Sequence, residues 1–87
     1  MWFVYIIYSA THDVYYRGES ERPYGRLDEH NNNLSTYTAF KGPWVLVYLE
    51  KLENRTAAIK KEKMLKRQNR RYILWLIEQP TNLVKKN

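Results

Sequence analysis

Two short apolar runs near the start of the chain constrain its fold more than any other feature of the sequence. WFVYIIYS (residues 2–9) and VYYRG (14–18) are rich in aromatic and β-branched residues, which favour strands. Between them lies ATHD, in which Thr and Asp favour a turn because their side chains bond to the local backbone. The pattern therefore predicts an antiparallel hairpin that ends at Gly18.

The rest of the chain alternates helical and strand patterns. SERPYGRLDEHNNN predicts a helix over about 22–32, and PWVLVYLEKL predicts a third strand over 43–52. NRTAAIKKEKMLKRQ predicts a helix over about 55–67 that begins at an asparagine cap. A second asparagine then interrupts the pattern, and RRYILWLIEQ predicts an apolar helix over 70–79. Pro80 ends this last helix.

The predicted order of elements is β-β-α-β-α-α. We expect an α+β fold in which a small three-stranded antiparallel sheet is flanked by helices, because this arrangement buries many aromatic residues in a short chain. One domain over residues 1–79 accounts for all six elements. TNLVKKN follows the last helix, and we expect residues 80–87 to form a frayed C-terminal tail.

Charge and cysteine content narrow the functional classes. The 87 residues include no cysteine, which excludes disulfides, thiolate metal sites and thiol nucleophiles and fits a reducing compartment. No basic residue precedes the first apolar run, which is too short to span a membrane, so we expect a soluble cytoplasmic protein. The net charge of +6 comes largely from residues 55–71. This charge favours a polyanionic partner such as nucleic acid, and a solvated basic helix explains it equally well.

Glu62 occupies an unexpected position in the predicted basic helix. It follows Ala58 by four residues and precedes Leu65 by three, so it lies on the inward side with the apolar stripe. A carboxylate there is costly unless it is paired or binds a cation. An ion pair with Arg26 or another base, or a place at the wet margin of the stripe, explains the position as well as a metal does.

Two other groups are candidates for chemistry. Arg26 and His30 are four residues apart and share a face of the predicted first helix, where they could meet one phosphate or form an ordinary exposed pair. Tyr5 and Tyr16 lie on the two hairpin strands. Tyrosines in a hairpin are usually half-buried packing residues with a solvated hydroxyl. No single group specifies an activity.

Taken in order, these residues resemble a known family. FVYII followed by YRG resembles the paired motif that names the GIY-YIG nuclease superfamily, with Tyr5 and Tyr16 as its tyrosines. GRLDEHN is similar to the superfamily's arginine-bearing helix, here with Arg26. His30 and YTAFKGPWVLVY resemble its small single-domain bacterial branch, and AIKKEKMLK resembles the helix with the metal-binding glutamate, here Glu62. The resemblance covers about residues 2–78.

The resemblance implies a metal-dependent endonuclease that hydrolyses DNA phosphodiesters. Because the chain is small, we expect it to select DNA structure, branched or damaged, rather than sequence. Such an activity would serve DNA repair. The family resemblance also implies that Glu62 holds a single Mg²⁺ or Mn²⁺ and that Arg26 binds the phosphate, with no small-molecule cofactor. Tyr5 and Tyr16 would activate and position water, and His30 would carry a proton or contact the phosphate. The basic residues outside this set would attract DNA without sequence preference. They are Arg17, Lys60, Lys61, Lys63, Lys66, Arg67, Arg70 and Arg71.

Two positions depart from the family pattern. Arg17 stands where an aliphatic residue is usual, and Glu19 follows Gly18. A carboxylate near Tyr16 would disfavour its ionised form, unless alternation along the strand turns these side chains to the other face. The departures favour an alternative function, in which the fold binds nucleic acid but is weakly active or inactive.

Overall fold

The computed structural model describes residues 1–84. Its elements are β1 (Trp2–Ser9), β2 (Val14–Ser20), α1 (Pro23–Asn31), β3 (Trp44–Leu52), α2 (Arg55–Lys66) and α3 (Arg70–Ile77). The strands form one antiparallel sheet in the order β2-β1-β3. The predicted class and order of elements are therefore confirmed. No helix within residues 1–84 is long and apolar enough to cross a membrane.

The sequence predicted that the second strand ends at Gly18, and the structure shows that this prediction is wrong. The β2 strand continues to Ser20, and Gly18 pairs directly with Tyr5 on β1. A Cβ atom at residue 18 would overlap the phenol ring of Tyr5, so only glycine leaves room for that ring. Gly18 of the second motif thus leaves the space that the side chain of Tyr5 in the first motif occupies.

Helices cover both faces of the sheet, because alternate residues of β1 point in opposite directions. Val4 and Ile6 pack on one face against Leu65 of α2 and against α3. Tyr5 and Ile7 lie on the other face, where Leu27 of α1 packs against their cluster. The two faces form two separate apolar clusters, and the candidate tyrosines belong to the α1 side.

Asparagines cap both C-terminal helices. The Asn54 side chain accepts a hydrogen bond from the backbone of Ala57 (2.9 Å), which confirms the predicted cap of α2. Asn69 accepts one from the backbone of Tyr72 (3.0 Å), so the asparagine that interrupts the helical pattern also begins α3. Each bond satisfies a backbone N–H that the helix leaves free.

The segment after α3 is bonded to the sheet, which contradicts the expectation that it frays. The Asn82 side chain donates to the carbonyl of Val47 (3.0 Å) and accepts from the amide of Leu49 (3.1 Å). The amide of Leu83 donates to the carbonyl of Leu49 (2.8 Å). These bonds cover the outer edge of β3, which would otherwise present unpaired backbone groups. The last three residues of the predicted tail, 85–87, lie outside the described part of the chain.

Candidate active site

The buried phenol of Tyr5 is the centre of the candidate site. The side chain is 1% exposed, and its hydroxyl lies 2.9 Å from Nε2 of His30. The other ring nitrogen, Nδ1, lies 2.7 Å from Oγ1 of Thr38, whose hydroxyl donates to the carbonyl of Ser35. With the proton of His30 placed on Nδ1, the imidazole donates to Thr38. Nε2 is then free to accept from Tyr5.

Burial sets the protonation states of this pair. Desolvation raises the pKa of Tyr5 to about 12, although Arg26 opposes the rise. Desolvation, together with repulsion by Arg26, lowers the pKa of His30 to about 4. At neutral pH the phenol is therefore a proton donor and the imidazole is neutral. Both states agree with the assigned hydrogen bonds.

Tyr16 and Arg26 surround the same phenol from β2 and α1. The Tyr16 ring meets the His30 ring edge-on, with 5.1 Å between ring centroids. The charge of Arg26 lowers the pKa of the Tyr5 phenol against the effect of burial, and the guanidinium forms an ion pair with Glu29 one turn later. The Arg26 side chain remains 29% exposed. The structure therefore brings a solvent-accessible cation to the buried phenol.

One interpretation of the sequence spacing was that Arg26 and His30 form an exposed pair. The structure contradicts this interpretation for His30. Its side chain is fully buried. The imidazole lies behind Tyr5 rather than at the surface, since both of its nitrogens are bonded to buried groups. In this arrangement His30 has no direct access to a phosphate in solvent.

Glu62 approaches the site from α2. Its side chain is 18% exposed, and Oε1 lies 3.2 Å from the ammonium of Lys66 one turn later. The alternative of an ion pair is thus confirmed, with Lys66 as the base rather than Arg26. The Glu62 charge also contributes to the raised pKa of the Tyr5 phenol, less than burial and Tyr16 do. Because the Lys66 side chain is 55% exposed, this pair is worth only ~0.3–0.5 kcal/mol and is easily replaced.

Comparison with known proteins identifies the family of this chain. Residues 1–75 match the family described as the GIY-YIG catalytic domain. The chain belongs to the GIY-YIG family. Members of this family are generally nucleases that use a divalent metal.

Relatives with the same domain are small GIY-YIG proteins. A UPF0213 protein of Aeromonas salmonicida (strain A449) is 32% identical over 80 residues, which cover 91% of this chain and 58% of that protein. The chain thus spans less than two thirds of that relative's length. The solution NMR structure of a UPF0213 protein from Bacillus halodurans has the same fold, with a TM-score of 0.57 and 24% identity. That match covers 93% of this chain and 87% of the Bacillus chain.

Glu62 fits the divalent metal that GIY-YIG nucleases typically use. Among residues 1–84 no group of three or more His, Asp or Glu side chains forms a ready-made cage. Mg²⁺ does not require one, because proteins usually hold it through one or two carboxylates while water and substrate phosphates complete the shell. Glu62 is partly exposed, and its one ion pair among the described residues is with an exposed lysine. It can therefore supply such a carboxylate.

Arg17 and Glu19, the departures from the GIY-YIG pattern, lie on the opposite face of β2 from Tyr16. The Arg17 guanidinium donates to the carbonyls of Tyr15 (3.2 Å) and Gln68 (3.4 Å). Its Nε and the Oε2 of Glu19 are buried, and neither forms a hydrogen bond within residues 1–84. The alternation along the strand thus turns Arg17 away from the tyrosine, and its guanidinium is used within the fold.

The predicted nucleic-acid contacts of α2 and α3 divide into two groups. Three are in ion pairs: Lys61 with Glu50, Lys66 with Glu62, and Arg70 with Asp13. The others are exposed and form no ion pair within the part of the chain that the structure describes. They are Lys60, Lys63, Arg67 and Arg71.

Sequence reasoning missed two residues of the site. Thr38 is fully buried and bonds to His30, although it comes from a polar loop without any periodic pattern. The available signal was chemical, since a buried imidazole needs a partner for each ring nitrogen. Glu29 pairs with Arg26, and its spacing of three residues along the helix was visible in the sequence.

Proposed function

We propose that this GIY-YIG domain is a metal-dependent DNA endonuclease that selects DNA structure more than sequence. One observation carries the proposal: the Tyr5 phenol bonds to His30 and is acted on by Arg26, Tyr16 and Glu62. These groups come from three elements besides β1 itself. Such convergence of a cation, phenols and a carboxylate has no counterpart in an ordinary packing cluster, where burying charges is costly.

Burial divides the roles among these residues. Tyr5 and His30 are buried and act as positioning residues, because the hydrogen bond between them fixes the orientation of the phenol. Tyr16 is partly exposed, and its hydroxyl accepts a hydrogen bond from the attacking water and orients it. Orientation of the nucleophile is a large part of phosphoryl-transfer catalysis.

Arg26 and Glu62 act on the charge of the phosphate, Arg26 directly and Glu62 through a divalent cation. Arg26 donates N–H groups to a non-bridging phosphate oxygen, with the edge of the guanidinium that Glu29 does not hold. Glu62 exchanges its exposed lysine partner for the divalent cation. When bound, this cation polarises the phosphoryl oxygen and stabilises the leaving oxygen. The unpaired basic residues of α2 and α3 add salt-sensitive attraction for the DNA backbone.

A nicking assay with matched variants tests the proposal. Supercoiled plasmid and a branched duplex are incubated with Mn²⁺ and wild type, Glu62→Gln, Arg26→Ala or Glu53→Gln, all purified identically. Glu53 is an exposed glutamate without an ion pair among residues 1–84 and serves as the control. We expect wild type and Glu53→Gln to nick DNA, and Arg26→Ala to lose on the order of 10²–10³ in rate, as oxyanion donors do. Glu62→Gln should be inactive.

Two outcomes would contradict the nuclease. Nicking at full rate by both Glu62→Gln and Arg26→Ala would reveal a contaminating enzyme. Salt-sensitive DNA binding without cleavage under Mg²⁺ or Mn²⁺ would support the second candidate, a nucleic-acid-binding module of the same fold. The ion pairs of Arg26 with Glu29 and of Glu62 with Lys66 favour that candidate, because both site charges are already neutralised within the chain.

A further inference from the structure

The loop between α1 and β3 holds large apolar side chains in solvent. Leu34, Tyr37 and Phe40 are 72%, 77% and 83% exposed. Phe40 has a backbone φ of 61°, a conformation that bulky residues rarely adopt. The Oδ1 of Asn33 stabilises it by accepting a hydrogen bond from the Phe40 amide (2.8 Å). Phe40 therefore combines an unfavourable backbone conformation with a phenyl ring that lies outside the core.

The same loop is anchored to the candidate active site. Thr38, two residues before Phe40, bonds through its side chain to His30, which bonds in turn to Tyr5. The carbonyl of Thr38 accepts a hydrogen bond from the indole of Trp44 (3.1 Å). The loop that carries Phe40 is thus bonded to the site through Thr38, and a pre-organised surface loses little entropy when it binds a ligand.

Phe40 borders an open hollow of about 400 Å³. Its lining residues are Asn31, Asn33, Phe40, Gly42 and Pro43. Pockets that bind small ligands measure roughly 300–1,000 Å³, so the hollow has room for one planar group. Asn31 directly follows His30 in the chain, so the lining of the hollow begins one residue after the buried imidazole.

The chemistry of the lining suits a nucleobase. An aromatic ring offers a stacking face, which accepts any base because every base has a π-face. The Nδ2 of Asn33 forms no hydrogen bond within residues 1–84 and can donate to the polar edge of a base. Residues 30–49 contain no Asp or Glu, so no carboxylate of this segment repels the adjoining phosphates.

We propose that this hollow binds one unpaired nucleobase of the DNA substrate, stacked on Phe40 with its polar edge against Asn33. The proposal rests on the proposed function for the identity of the nucleic acid. It gives that function a means of selecting structure: a base in a bulge or at a junction is free to enter the hollow, whereas a paired base must first be unstacked at a cost of a few kcal/mol.

A fluorescence titration without metal tests this site separately from cleavage. The probes are a duplex with one bulged 2-aminopurine and the same duplex with that base paired, in EDTA. Wild type is compared with Phe40→Asn, which removes the ring while keeping a residue that tolerates positive φ. Phe40→Trp restores an aromatic face. Tyr37→Ala is the matched control, because Tyr37 is equally exposed but does not line the hollow.

We expect wild type to bind the bulged duplex more tightly than the paired one and to quench its 2-aminopurine. Phe40→Asn should weaken binding of the bulged duplex about 5- to 150-fold, the range of a single base–aromatic stack, and abolish quenching. Binding of the paired duplex should not change. Phe40→Trp should quench, and Tyr37→Ala should match wild type. Melting curves establish that each variant is folded.

The results separate the nucleobase site from the nuclease. Plasmid nicking by wild type without any preference for the bulge would overturn the nucleobase site and leave the nuclease standing. Quenching by wild type without nicking would support the nucleobase site and refute the nuclease. Equal quenching of free 2-aminopurine riboside monophosphate would overturn the assignment to a DNA base, because the hollow would then be a pocket for free nucleotides.

Discussion

Lowering the pH from 7 to 5 should destabilise the fold through one buried side chain, His30. The pKa of this histidine is 6.5 in its ordinary state and about 4 in the folded protein, because burial and Arg26 disfavour its charge. Between these values the unfolded state binds a proton that the folded state does not, so the free energy of unfolding falls as the pH falls. Integrating this proton uptake gives a loss of about 2 kcal/mol between pH 7 and 5 and about 3 kcal/mol below pH 4.

Urea unfolding followed by tryptophan fluorescence at pH 7, 6 and 5 measures this loss. Two carboxylates with lowered pKa values, Asp13 and Glu29, do not obscure this loss. Their ordinary pKa values are 3.8 and 4.5, and they stabilise the folded state at pH values above these. This stabilisation is lost only when the pH falls below those values. His30→Gln should be less stable at pH 7 but independent of pH over this range. His12→Gln, which removes the exposed histidine, should behave as wild type. Equal wild-type stability at pH 7 and 5, or an undiminished loss in His30→Gln, would refute the reasoning.

Two further predictions concern the hairpin and a helix cap. Gly18→Ala should cost ~1–3 kcal/mol because its Cβ overlaps the buried ring of Tyr5, whereas Gly25→Ala meets only a flexible arginine and should gain up to ~1 kcal/mol. Thermal melts compare the two, and a Gly18→Ala protein as stable as wild type would mean that the ring moves aside. Asn69→Ala should lose about 1 kcal/mol in urea unfolding by removing the cap of α3, while Asn69→Ser should keep most of it. Equal losses in both Asn69 variants would show that the cap contributes nothing.

Local patterns were sufficient for the elements of this fold. The alternation of apolar residues and the turn residues between them predicted the strand at Trp2–Ser9 as it is observed. The cap of α2 and the break before α3 followed from asparagine, whose side chain satisfies backbone N–H groups at a helix start. These signals act within a few residues of the chain, so they can be read before the fold is known.

The positions of the site residues were only partly accessible in this way. Spacing placed Glu62 towards the inner side of α2 but did not identify Lys66 as its partner. It placed His30 on the face of Arg26 but did not indicate complete burial, which depends on Tyr5 and on Thr38 of the following loop. The tail was expected to fray because no local signal reports the three hydrogen-bonded contacts of residues 82 and 83 with β3.

The sequence alone determined the six elements, their order and, through the resemblance, the family. Tertiary structure decided which groups are buried, and therefore which are charged. The pKa of Tyr5 is raised and that of His30 is lowered chiefly because the folded chain buries both side chains. It also decided that Phe40 stays outside the core. Desolvation and cavity shape are properties of the packed whole, and no segment of the chain encodes them by itself.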